Sequence, residues 1–133
     1  MNEDDTTVTE EGAALHGDVV GYSRLTADNE IETYNTLQVL RRIIGQVTAD
    51  RGGILASFVG DEFLAVFPDA TNAVAAALEI QGQIAVENRA LPAGRSMRFR
   101  LGIHVGLISH AADRWWGDAI NIAARLQALA EPG

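Results

Sequence analysis

Phe58-Val-Gly-Asp-Glu-Phe-Leu-Ala-Val-Phe67 joins two apolar runs through a short acidic turn. Ile54-Leu55-Ala56 leads in, the run from Phe63 to Phe67 leads out, and Gly60-Asp61-Glu62 lies between them. That pattern reads as a β-hairpin, with Gly60 supplying the backbone freedom for the turn. An acid fixed at the tip of a stiff hairpin is a good place to hold a divalent cation, because Mg²⁺ and Mn²⁺ take oxygen ligands in a fixed geometry. An ordinary polar hairpin turn has the same local pattern.

Upstream, Ala13-Ala14-Leu15-His16-Gly17 is a candidate first strand ending at Asp18. Ile31, Tyr34, Leu37, Leu40, Ile43, Ile44 and Val47 recur at helical spacing. Asp28 or Asn29 can cap that helix, and Gly52-Gly53 stops it. Downstream, a second helix is expected from about Thr71 to Asn88, with Ala73, Val74, Ala77, Leu78, Ile84 and Ala85 as its packing face. Met97, Phe99, Leu101, Ile103 and Val105 then alternate with Arg98, Arg100, Gly102 and His104, the period of a half-buried strand. A last helix is expected from about Asp118 to Ala130. Strand, helix, hairpin, helix, strand, helix is the order of an α+β, ferredoxin-like or palm-like sandwich, with helices over one face of a mostly antiparallel sheet.

The 133 residues suffice for one domain, and 47% hydrophobic with 21% charged residues is ordinary for a globular protein. The net charge of −8 is unevenly spread, because Glu3, Asp4, Asp5, Glu10 and Glu11 all precede residue 12. Met1 to Gly12 therefore reads as a disordered acidic tail or linker, and residues 13–133 as the domain. The acidic balance argues against a nucleic-acid groove, which needs a basic stripe. Cysteine is absent, which excludes disulfides, thiolate catalysis and cysteine-zinc sites. No membrane span or signal peptide is visible, so a cytoplasmic location is expected. Every basic residue is arginine; there is no lysine.

Asp18 and Asp61 each follow a glycine at the end of an apolar segment. If the first strand lies beside the hairpin, the two carboxylates converge at one edge of the sheet. There they could clamp two metal ions about 3.5–4 Å apart, the arrangement used for in-line phosphoryl displacement. Asn121 and Arg125 share one face of the last helix. A guanidinium there could neutralise charge on a transferring phosphate while the amide orients a sugar; a solvated helix face is the other reading. His104 reads as a sheet-face histidine, Trp115 and Trp116 as a packing or dimer-contact pair. Arg98 and Arg100 read as an exposed strand face or dimer rim, with contact to phosphate left open.

Four segments in register resemble class III adenylate/guanylate cyclase domains: Asp18-Val-Val-Gly-Tyr-Ser-Arg-Leu25, Phe58-Val-Gly-Asp61, Arg100-Leu-Gly-Ile-His-Val-Gly106, and Trp116-Gly-Asp-Ala-Ile-Asn-Ile-Ala-Ala-Arg-Leu126. The resemblance runs from about Leu15 to the end of the chain. It implies that Asp18, Asp61 and the backbone carbonyl of Val19 bind two Mg²⁺ or Mn²⁺ ions. It further implies that Asn121 and Arg125 act on the ribose and the transition-state phosphate of a site in the opposite subunit, within a head-to-tail homodimer. The implied reaction converts a purine nucleoside triphosphate, with ATP placed ahead of GTP, into a 3′,5′-cyclic nucleotide and pyrophosphate.

The chain departs from the family pattern in two ways. Ser57 stands where ATP-using members carry a lysine, and Arg114 stands at the second base-reading position. Serine and arginine can both bond a purine edge, yet form neither the usual adenine pair nor the usual guanine pair. The chain is most similar to a bacterial branch with such non-standard base-reading residues. It also ends before further strand and helix present in the family, so a C-terminally truncated domain is expected, with a sensor domain conceivable in a longer parent. The alternative function is a catalytically silent cyclase-fold module that binds nucleotide or dimerises. Gly60-Asp-Glu-Phe63 also resembles the signature turn of diguanylate cyclases, but Val59 breaks the double glycine and the Asn121/Arg125 helix goes unexplained.

Overall fold

Twelve residues, Val8–Val19, form the central strand β1 of a computed structural model that describes residues 6–133. β1 pairs antiparallel with β4 (Phe99–Ala111) over its whole length, from Val8↔His110 to Val19↔Phe99. Its other edge pairs with β3 (Glu62–Phe67), which continues the hairpin from β2 (Ile54–Val59). A short β5 (Arg114–Trp116) folds back on the end of β4. The sheet order is β2-β3-β1-β4-β5 and every pairing is antiparallel. The fold is therefore the expected α+β sandwich on an antiparallel sheet.

The first strand begins five residues before Ala13, so Val8–Gly12 belong to β1 and not to a tail. Backbone pairing with β4 requires no apolar side chain, and this half of the strand is decorated with polar contacts instead. Thr9 and Ser109 share a hydroxyl hydrogen bond of 2.8 Å, and Glu10 lies 3.9 Å from His110. The rest of the expected tail, residues 1–5, lies outside the described residues.

Two helices cover one face of the sheet. In α2 (Glu30–Asp50) the Asn29 side chain accepts from the Glu32 N–H at 3.1 Å, capping the start as expected. Leu37, Leu40, Ile44 and Val47 are buried from it. Asp69 caps α3 (Ala70–Arg89) by accepting from the Asn72 N–H at 2.8 Å. The buried stripe of α3 is Ala73, Ala76, Ile80 and Ile84, so the expected face is rotated: Val74 and Leu78 point to solvent. Small Ala73 and Ala76 let the first half of α3 approach the sheet closely, and Ile80 and Ile84 fill the core further along the helix. These helices pack on Ala13, Leu15, Val19, Phe63, Ala65, Phe67 and Phe99. A short helix that the sequence pattern did not mark, α1 (Tyr22–Asp28), anchors itself through buried Leu25.

The last helix, α4 (Asp118–Leu129), lies on the opposite face and not beside α2 and α3. Alternate strand residues Ala14, Leu64 and Ile108 form a second core with Ala119 and Ala123. Gly102 makes this possible: a Cβ there would collide with the Ala123 carbonyl and the Gln127 backbone nitrogen. Among the described residues, no helix is long and apolar enough to cross a membrane.

Candidate active site

Asp18 sits one residue before the end of β1, opposite Glu62 of β3 and Arg100 of β4. Asp61 occupies the tight turn between β2 and β3, next to Gly60 in the left-handed region at φ 59°. The Val19 N–H donates to the Asp61 carbonyl at 3.2 Å, which pins the turn onto the end of β1. The hairpin and strand thus bring Asp18, Val19 and Asp61 to one end of the sheet. Burial pushes the Asp61 carboxyl above the usual carboxylate range, and the charges of Asp18 and Glu62 push it further. The backbone N–H groups of Asp61 and Val19 act in the opposite direction. Two oxygen donors on rigid backbone, with excess negative charge between them, suit a hard divalent cation. Among the described residues, no group of three or more His, Cys, Asp or Glu is arranged to hold a metal. Remaining ligands would therefore come from backbone, water or a bound phosphate.

Asp18 already has protein partners. The Arg100 guanidinium faces it as a fork, with Nε to Oδ1 and Nη2 to Oδ2 both at 3.4 Å. Gln127 Nε2 also donates to Oδ1, and Arg100 Nη1 reaches the Ala128 carbonyl at 3.4 Å. Neither partner was assigned from sequence. In sequence Arg100 reads with Arg98 as an exposed strand face or dimer rim, and only the β1–β4 register sets it against Asp18. Gln127 left a signal that could have been read: it continues the Ala119, Ala123 stripe at four-residue spacing, and it is buried.

Asn121 and Arg125 lie on α4 but are exposed, while Ala119, Ala123 and Gln127 face the sheet. They point away from the face that meets Asp18, so one chain does not bring all four residues together. Ser57 is exposed on β2, where the pairing register shifts between Leu55 and Ser57. Arg114 is exposed on β5 and its guanidinium stands 5.7 Å from the Trp116 ring. These two positions are on strands at opposite edges of the sheet. Trp115 packs into the second core and stacks on His110 with centroids 4.3 Å apart, whereas Trp116 remains 41% exposed.

No family model matches the chain. Among solved structures it is similar to an adenylate/guanylate cyclase/hydrolase from Silicibacter pomeroyi, with 36% identity and a TM-score of 0.86, covering 96% of this chain and 74% of that one. The adenylyl cyclase CyaB from P. aeruginosa has the same fold at 22% identity, with a TM-score of 0.83 over 96% of this chain and 76% of that one. A curated relative, the adenylate cyclase of Streptomyces coelicolor, is 30% identical over 129 residues, 96% of this chain and 32% of that protein. The chain spans about a fifth to a third of the length of the curated relatives it matches. With this geometry and these likenesses together, the chain belongs to the class III adenylate/guanylate cyclase catalytic-domain family.

Proposed function

We propose that this chain is a nucleotidyl cyclase whose sites are each built from two copies. One copy supplies Asp18, Asp61 and the Val19 carbonyl as ligands for two Mg²⁺ or Mn²⁺ ions. The other supplies Asn121 and Arg125. The observation that carries the reading is the split itself: the two aspartates meet at one end of the sheet, while Asn121 and Arg125 face outward from α4. An outward pair of that kind suits a site outside its own chain's metal face.

The substrate class is a purine nucleoside triphosphate, ATP ahead of GTP, and the products are a 3′,5′-cyclic nucleotide and pyrophosphate. Divalent cations at this site would supply Lewis acidity to the attacking 3′ hydroxyl and charge neutralisation to the triphosphate. Asp18 and Asp61 fix their position from rigid backbone. Arg125 of the second copy neutralises charge that develops on the transferring phosphate, and Asn121 orients the ribose. Ser57 and Arg114 are the base-reading positions. Arginine donates a fork and serine both donates and accepts, so the pair can bond a purine edge without the usual lysine.

A silent nucleotide-binding or regulatory dimer is the second reading, and two observations favour it. Asp18 is engaged by Arg100 and Gln127, and Arg114 stands over Trp116 rather than open to a base. The deciding experiment incubates the purified chain with Mn²⁺ and either ATP or GTP, with Asp61→Ala as control. Cyclic product from one nucleotide, lost in the variant, establishes the cyclase and names its base. Nucleotide binding without product from either substrate supports the silent module.

A further inference from the structure

We propose that Arg100, supported by Gln127, is a built-in competitor for the divalent cation at Asp18. This inference rests on the reading of Asp18 and Asp61 as cation ligands. Both Asp18 oxygens are occupied from the β4 and α4 side. Oδ1 accepts from Arg100 Nε and from Gln127 Nε2, and Oδ2 accepts from Arg100 Nη2. A carboxylate offers about four lone-pair positions, so this set leaves little of the group free.

The pair is sheltered. The Asp18 and Arg100 side chains are 15% and 31% exposed, so solvent screens the interaction less than it would a surface pair. A guanidinium does not deprotonate in proteins, and a divalent ion placed on the same carboxylate would meet its full positive charge. Cation binding at Asp18 therefore requires the fork to open or swing aside. The cation-free protein, in turn, keeps the Asp18 side chain oriented without metal.

Release has a structural consequence beyond Asp18. Arg100 Nη1 also holds the Ala128 carbonyl, in the last turn of α4, and Gln127 holds Asp18 from the same turn. When a cation takes Asp18, the Gln127 tie between that turn and β1 is lost, and the Arg100 tie between that turn and β4 loses its anchor on Asp18. Arg100 is thus a positioning residue: it acts on the cation through Asp18, and it links occupancy of the metal end to the helix carrying Asn121 and Arg125.

Mn²⁺ binding, followed by the electron paramagnetic resonance of the free ion, tests this on the wild type, Arg100→Gln and Asp61→Asn. Arg100→Gln is expected to bind Mn²⁺ about tenfold more tightly than wild type, the scale of losing one sheltered charge-assisted competitor. Asp61→Asn is expected to bind much more weakly. In the wild type, the Arg100 Nε–H resonance is expected to move to a free-arginine position as Mg²⁺ saturates the site. Equal or weaker Mn²⁺ affinity in Arg100→Gln, with binding still sensitive to Asp61→Asn, would overturn the competitor while sparing the aspartate site. Mn²⁺ binding that is absent, or indifferent to Asp61→Asn, would overturn both. Should Arg100→Gln fail to fold, the wild-type titration decides alone: an Arg100 Nε–H resonance unmoved at Mg²⁺ saturation overturns the proposal.

Discussion

The Val19 N–H donates to the Asp61 carbonyl at 3.2 Å, so the tip of the β2–β3 hairpin is fastened to the end of β1. Together with the β1–β3 pairing at Asp18↔Glu62, that backbone bond fixes the spacing of the two aspartates without using either carboxylate. It is what allows Asp18 and Asp61 to stay close in the absence of a cation, at the cost of repulsion between them.

Asp61→Asn should stabilise the metal-free protein near neutral pH. The folded-state pKa of Asp61 is raised above the usual carboxylate range, by burial first and then by the charges of Asp18 and Glu62. A raised carboxyl contributes stability that is fully present below the unfolded pKa and is lost as pH rises through the folded one. The wild type therefore carries a penalty above that window which asparagine removes. Melting curves should place Asp61→Asn above wild type at pH 7, with the difference shrinking toward pH 3. A variant less stable at pH 7 would contradict this account of Asp61.

Helix α3 gives a contrast between neighbouring positions. Ile80 is fully buried and Leu78 is 70% exposed. Ile80→Ala should cost about 2–5 kcal/mol in denaturant unfolding, through lost burial and the cavity left behind. Leu78→Ser should change stability by no more than about 0.5 kcal/mol. Comparable losses at both positions would mean that α3 packs by a different face.

Gly102 sets the distance between β4 and α4. Gly102→Ala places a methyl group against the Ala123 carbonyl and the Gln127 backbone nitrogen, neither of which can rotate away. The expected cost is about 1–3 kcal/mol, the range for overpacking a tight contact. Hydrogen exchange should rise in the C-terminal half of α4, because the displaced helix carries Gln127 away from Asp18. Unchanged exchange there would show that the contact at Gly102 does not hold the helix.

Much of this structure was legible in the chain, for physical reasons that differ by element. Helix α2 announced itself because Leu37, Leu40, Ile44 and Val47 repeat on one face and Asn29 caps it. The hairpin did so because two apolar runs flank Gly60-Asp61. The first half of β1 did not, since Val8–Gly12 are held by backbone pairing and polar contacts and bury no apolar stripe. Placement of α4 on the far face was also hidden: its apolar stripe names a buried side but not the layer that buries it. The aspartates of the candidate site could be named from their positions after glycines, whereas Arg100 and Gln127 could not be joined to Asp18. They lie 82 and 109 residues away from it in sequence, and only the strand register and the helix crossing bring them there.

Verified heterodimers of an Asp61→Ala chain with an Arg125→Ala chain test the shared-site account most directly. In such a pair, one composite site joins intact aspartates to an intact Arg125, and the other lacks both. The account predicts that each homodimer is inactive and that the heterodimer forms cyclic nucleotide at about half the wild-type rate per dimer. Heterodimers as silent as the two homodimers, beside an active wild type, would contradict it.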